Sequence, residues 1–225
     1  MQFIKTRDVK SPERDVSENA GIDFYIPENT PEFRQALCKK NHRLVDTSNL
    51  ESVAECSVID YLAGDGSNPA LIFLKESFKY YNDDKAKPAM ALSLADLCKK
   101  KNLSFLLGNN IYIAPHKAII IPTGIKSKFG PELALIANNK SGIATKKQLI
   151  FGASVIDCSY QGEWHINLIN TSDYYQTLEF GQKAVQFIPH LISTEPVEIV
   201  DLPEEEFYTE KTSRGEGWQG STGIK

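Results

Sequence analysis

In NNKSGIA, Asn138 to Ala144, a lysine, a serine and a glycine stand in a row between two apolar runs. Together they supply what an anion needs: the Lys140 charge, the Ser141 hydroxyl and the backbone N–H groups around Gly142. The same letters also make an ordinary turn. A second stretch, FGASVIDCSYQGEW from Phe151 to Trp164, places Asp157 directly after an apolar Val-Ile pair. That position predicts a carboxylate close to the core, where it requires a partner or a chemical task. Gly152, Ala153 and Ser154 are small enough to let a flat ring approach the backbone, and Tyr160 can pack on a sugar. The competing reading of Asp157 is a turn carboxylate capping the CSYQG bend. In GQKAVQFI, Gly181 to Ile188, Gln186 interrupts an apolar strand. Its amide is expected to meet a partner, unless the strand is an edge and the amide faces water. Finally RGEGWQGSTG, Arg214 to Gly223, is rich in glycine, which is costly to order. Its bare N–H groups, Arg214, Ser221 and Thr222 suit a polyphosphate, although composition alone favours a frayed tail.

The totals restrict what these groups can do. The chain has 225 residues, 41% hydrophobic and 24% charged, with a net charge of −4. It can bury a core, and its acidity argues against general nucleic-acid or anionic-membrane binding, so phosphate recognition has to be local. No apolar run is long enough to span a bilayer and none resembles a signal peptide. Cys38, Cys56, Cys98 and Cys158 are scattered, without the C-x-x-C spacing of a zinc or redox site, which predicts reduced thiols in a cytoplasm. The four histidines likewise lack metal-ligand spacing.

The elements that must position the polar groups are mostly strands. IYIAP, KAIIIPTGI, ELALIANNKSG, KKQLIFGASVID, EWHINLINTS and KAVQFIPHLIS are short β-type runs separated by Gly, Pro, Asn and Asp. Their spacing predicts an all-β barrel or sandwich, with Pro115, Pro122 and Pro189 at strand edges. GIDFYIP, Gly21 to Pro27, is an earlier strand of the same kind. Residues 31–110 differ: PEFRQALCKKNHRLV and SLADLCKKKNLSFLL have helical spacing, with Ser93 as a cap, and DGSNP marks a loop. The expected organisation is one β domain from residues 1–30 and 111–203, a mixed helix and loop insertion at 31–110, and a flexible glycine-rich arm at 204–225.

In the order AGIDFY, NNKSGIA, GASVIDCSYQGE, GQKAVQFI and RGEGWQGSTG, these stretches resemble the five motifs of the homotrimeric dUTPase family. The resemblance covers roughly residues 18–29 and 111–223. It implies a mainly β, jelly-roll-like protomer, three of which assemble with active sites at the subunit interfaces. It implies Mg²⁺-dependent hydrolysis of dUTP to dUMP and pyrophosphate, which keeps uracil out of DNA and supplies dUMP for thymidylate synthesis. By position, Asp157 resembles the carboxylate that orients the attacking water, and Tyr160 the tyrosine under the deoxyribose. The backbone of Gly152, Ala153, Ser154, Val155 and Ile156 would read the uracil edge, with His165 on the same hairpin. Lys140, Ser141, Gly142 and Gln186 match phosphate contacts. Asp23 matches the first-motif aspartate, associated with the water shell of a metal held mainly by the triphosphate. Arg214, Gly220, Ser221 and Thr222 would close over the phosphates from a neighbouring protomer, as a lid.

The chain departs from the family pattern at three places. Lys140 stands where arginine is usual, which keeps the charge and loses the bidentate fork. Gln219 stands where an aromatic stacks on the base, with Trp218 one residue earlier. About eighty residues, 31–110, intervene between the first motif and the next strand, where the family has a short connection. These departures leave two alternatives: a pyrophosphatase with altered pyrimidine choice, or a nucleotide-responsive protein that binds a partner through the insertion. The related dCTP deaminases place a glutamate where GEWHIN has Asn167, which cannot serve as their general base. No membrane and no direct nucleic-acid contact is expected, and the location implied is the cytoplasm of the cell or of a viral host.

Overall fold

A computed structural model describes residues 1–16, 18–49, 87–208 and 210. DGSNP, Cys56, most of ESFKYYNDDKAKP and the motif residues Arg214, Trp218, Gln219, Gly220, Ser221 and Thr222 lie outside the described residues. The chain forms two compact units, Met1–Ile192 and Ser193–Lys225. The strand-rich unit ends at Ile192. Among its described residues the second unit has a short helix, Glu204–Phe207.

In the first unit, alternation of apolar residues produces four small sheets. The strands are β1 (Gln2–Lys5), β2 (Ile22–Tyr25), β3 (Val45–Asp46), β4 (Phe105–Leu107), β5 (Asn110–Ile113), β6 (Ala118–Pro122) and β7 (Ile125–Lys128). They continue with β8 (Leu133–Asn139), β9 (Leu149–Phe151), β10 (Val155–Asp157), β11 (His165–Asn170), β12 (Gln176–Glu179) and β13 (Lys183–Leu191). Their orders are β10-β8-β13-β2, β6-β11-β9, β12-β5-β4-β3 and β1-β7, antiparallel except for β3 beside β4. This mainly β, jelly-roll-like architecture is the expected fold class. On β11 the period of two sends Ile166, Leu168 and Asn170 inward and leaves His165, Asn167 and Ile169 half-buried on the other face.

The core is aromatic where the sheets meet. Trp164 is fully buried, stacked on Phe24 at 5.1 Å and 8°, with Phe3 and Phe187 against its other edges. The helix α1 (Pro31–Lys40) belongs to the same core: Phe33 and Leu37 point into it, as do Leu44 and Leu106. Its start follows from Thr30, whose hydroxyl accepts from the Phe33 N–H, with proline next in line. The helix α2 (Lys87–Lys100) begins six residues before Ser93, so Ser93 is not its cap. The Ser93 hydroxyl instead donates to the Ala89 carbonyl, satisfying itself inside the helix.

Pro189 sits within β13 rather than at its end. Pairing with β2 stops at Phe187, so on that side β13 is already an edge where the missing N–H costs no ladder bond. A second departure is larger. Instead of a turn, residues after Lys140 form the helix α3 (Ser141–Lys147), and only Leu149–Phe151 of KKQLIF is strand. The left-handed Gln148 closes this helix.

Candidate active site

Sheet pairing brings three distant sequence segments together at one end of β8. There Lys140 leaves the strand and enters α3, and β13 lies between β8 and β2, with Gln186 opposite both Asn138 and Asp23. Lys140, Ser141, Gly142, Ile143, Lys183 and Gln186 line a groove of about 300 Å³. The first N–H groups of α3, those of Ser141 and Gly142, have no intrahelical carbonyl to bond. Gln186 is half-buried on a central strand. Its Nε2 donates to the Asn139 carbonyl at 3.5 Å, and its Oε1 lies against Gly21. A Cβ at Gly21 would come within 2.5 Å of that oxygen, so the glycine of AGIDFY is needed to seat the amide.

Asp23 organises the cations of the groove. It is 7% exposed, accepts from Lys140 Nζ through Oδ1 at 2.6 Å, and meets Lys183 Nζ through Oδ2 at 3.0 Å. Lys183 also bonds Asp15 at 2.5 Å and meets Glu13 at 3.4 Å, while the Tyr25 hydroxyl donates to Glu13. The hydrogen bond to Asp15 and then that to Asp23 hold the Lys183 ammonium well above the usual lysine range, so it stays charged. The same bond holds Asp15 below the ordinary carboxylate value.

Lys183 is the residue that sequence reasoning missed. It is three residues before Gln186, a spacing that in a regular strand places two side chains on opposite faces. The register shifts between Lys183 and Val185, and that irregularity brings both residues to the groove. The signal available in the sequence was the cation itself, within an otherwise uncharged GQKAVQFI.

The third motif is elsewhere. Among the described residues β10 pairs with β8 alone, which makes it an edge strand there, with outer backbone groups open to a ligand. Alternation along β10 turns Ile156 onto the core and leaves Val155 and Asp157 exposed. Asp157 is therefore not held against the core as its neighbours suggested: a three-residue edge strand has one inward position, and Ile156 occupies it. The Asp157 carbonyl accepts from the Tyr160 N–H at 3.1 Å, and the Tyr160 hydroxyl donates to the Glu163 carbonyl at 2.9 Å. Gly152 and Ala153 are exposed, and Ser154 is half-buried. The Gly152 N–H is already used by the Asn167 carbonyl, and a Cβ there would press within 3.1 Å of the Asn167 side chain.

His165 starts β11 opposite Pro122, with its Nε2 buried and without a partner among the described residues. Burial, reinforced by the charge of Lys40, holds the imidazole below its ordinary value, while Glu163 opposes them. The unfolded chain then takes up this proton first as the medium acidifies. Stability should therefore fall as pH drops from about 6.5 through the lower folded value. A calorimetric melting series between about pH 7 and pH 5 checks this, and His165→Gln should flatten the decline.

The two clusters stand apart. Asp157 lies opposite Ala134 on β8, and Lys140 follows the other end of that strand. Six residues of strand separate them, roughly 20 Å at the usual rise. Among the described residues, no group of three His, Cys, Asp or Glu side chains is arranged to hold a metal ion. Both oxygens of Asp23 are committed to lysines.

The model of the family described as dUTPase matches residues 104–223, more than half of the chain. The chain belongs to the dUTPase family. A deoxyuridine 5'-triphosphate nucleotidohydrolase of Arabidopsis thaliana is 33% identical over 108 residues, 48% of this chain and 56% of that protein. One from Legionella pneumophila strain Paris is 30% identical over 125 residues, 54% of this chain and 78% of that protein. The Staphylococcus bacteriophage 80alpha dUTPase with dUPNHPP shares the fold, with a TM-score of 0.55 at 14% identity. That likeness covers 99% of this chain and 98% of the phage protein. The activity of this dUTPase is that of a dUTP nucleotidohydrolase, releasing dUMP and pyrophosphate. Among the described residues no helix is long and apolar enough to cross a membrane, and Cys98 and Cys158 are free thiols.

Proposed function

We propose that this dUTPase works as a homotrimer whose active sites combine Asp157 of one protomer with the Lys140 groove of another. The observation that carries this reading is the distance between the two clusters. A water oriented by Asp157 must reach the α-phosphorus while Lys140, Ser141 and Gln186 hold the same phosphate chain. Groups roughly 20 Å apart on one strand cannot do both from a single protomer.

In this arrangement the open edge of β10, with Gly152 to Ile156, hydrogen-bonds the uracil edge, and Tyr160 packs under the deoxyribose. His165 borders the hairpin. Asp157 accepts a proton from the attacking water, and the α-phosphorus bond to the pyrophosphate oxygen breaks as the new P–O bond forms. Ser141 and the free amides of α3 hold the phosphate oxygens, with Lys140 and Lys183 compensating their charge. Mg²⁺ fits as a companion of the triphosphate, because hard phosphate oxygens supply the ligands that the described residues do not. The ion then supplies further charge neutralisation. Asp23 acts by fixing the two lysines and, through them, the surrounding water. The arm, with Arg214, Gly220, Ser221 and Thr222, closes over the phosphates and brings Trp218 or Gln219 to the base. Free thiols suit a reducing cytoplasm, which we assign as its location.

The test is pyrophosphate release with Mg²⁺ from dUTP, dCTP, dTTP and UTP, by the native protein and by a mixture of two inactive variants. Turnover of dUTP alone is expected. Co-folding Asp157→Asn with Lys140→Ala in equal amounts should restore about a quarter of the sites, since each site draws its two halves from different chains. A mixture that stays inactive, while each variant still assembles, overturns the shared site.

A further inference from the structure

A larger groove, about 490 Å³, lies away from both clusters. Three segments far apart in sequence converge on it: Asn41–Leu44 after α1, Lys101–Ser104 after α2, and Lys117–Ile119 at the start of β6. Its floor is apolar, with Leu44, Leu103 and Ile119 each no more than 5% exposed. Its rim is cationic, carrying Arg43, Lys101 and Lys117 beside His42. In a chain of net charge −4 this is a local reversal of sign.

Two features separate this rim from an ordinary solvated face. Lysines in the last turns of α1 and α2 are accounted for by the helix dipole, but Lys117 lies in a turn with no helix to complement. Neither Lys101 nor Lys117 makes an ion pair among the described residues, which leaves both ammoniums available to an anion. The groove is also rigid. The Asn41 side chain accepts from the Ile120 N–H at 2.9 Å and donates to the Ile120 carbonyl at 2.7 Å and the Leu37 carbonyl at 2.8 Å. That ties the end of α1 to β6. On the other wall Asn102 takes a left-handed backbone, φ 52°, and its amide donates to the Pro115 carbonyl at 3.4 Å.

We propose that this groove is a second, non-catalytic binding site for a phosphorylated small molecule of nucleotide size. The volume lies within the span of small-molecule sites. An apolar floor takes a planar or apolar body, and the Lys101 and Lys117 ammoniums take the phosphates. A concave groove with such a floor favours this ligand over a nucleic-acid backbone, which follows open basic surfaces.

The probe is ATP, titrated calorimetrically into the full-length protein in buffer without divalent ions. Binding should weaken at least tenfold in the Lys101→Glu, Lys117→Glu double variant, whose dUTP turnover stays within twofold of native. Lys140→Ala should leave ATP binding unchanged, which distinguishes this groove from the catalytic one whatever the fate of the dUTPase mechanism. Three results overturn the proposal: no heat with ATP at millimolar concentration, binding lost in Lys140→Ala, or binding that survives the double charge reversal. Capture of a single-stranded oligonucleotide through Lys101 and Lys117, with no response to ATP, overturns it as well.

Discussion

Asp157→Asn is expected to lower dUTP turnover by about a thousandfold while leaving dUTP affinity within a few-fold of native and the melting temperature unchanged. The structure explains why the two effects separate. Asp157 is exposed at the end of an edge strand, and the packing there is done by Ile156. An isosteric amide removes no buried contact, so stability should shift by no more than about 0.5 kcal/mol. What it removes is the ability to take a proton from water, and positioned general bases contribute on the order of a hundred- to ten-thousandfold. Single-turnover pyrophosphate release, with binding of an imido analogue of dUTP measured in parallel, reads both quantities. Near-native turnover would take the catalytic role away from Asp157.

The second large effect belongs to Asp23→Asn, and here activity and stability should fall together. Asp23 is almost buried and holds two ammonium groups, at 2.6 Å and 3.0 Å. After substitution Lys183 retains Asp15 and Glu13, whereas Lys140 loses the anion that orients it. Breaking a fully buried pair costs about 3–5 kcal/mol. Because Lys140 remains 28% exposed, its loss of Asp23 is expected to cost about 2 kcal/mol. In a domain of this size that lowers the melting temperature by roughly 4–8 °C. Misplacing Lys140 should cut kcat/KM about a hundredfold, mostly through KM. A variant as stable as native but inactive would mean that Asp23 contributes to the reaction itself rather than by fixing the lysines. Unfolding curves and steady-state kinetics on the same preparation decide between these.

Both predictions depend on features that the chain shows to different degrees. Lys140-Ser141-Gly142, Gln186 and Asp157 stand out in the sequence because each interrupts an apolar pattern. The strand character of residues 111–191 and the helix at 31–40 are equally visible, since periods of two and of three to four are local properties. The start of α2 was misplaced because Ser93 has the chemistry of a cap, and only the Ala89 carbonyl within reach shows that its hydroxyl is spent inside the helix. The turn expected after Lys140 became α3, although its lysines and glycine give no strong helical signal of their own.

The burial of Asp157 was misjudged for a related reason. A Val-Ile pair suggests a core, but an edge strand has one inward face, and which residue takes it depends on pairing with β8. Lys183 was hidden because the register irregularity beside Val185 breaks the two-residue period by which faces are read. The membership of Phe33 and Leu37 in the central core likewise depends on where α1 packs, not on its own sequence.

By itself, then, the sequence determined the strand-rich class, the motif order and the chemical identity of the groups we propose to meet phosphate, because these are properties of neighbouring residues. Only the tertiary structure decided that Asp23 spans Lys140 and Lys183, that Gly21 makes room for Gln186, and that Asp157 stands at the opposite end of β8. The first two arise from contacts between residues more than a hundred positions apart and the third from the pairing of β10 with β8, and no local periodicity encodes either.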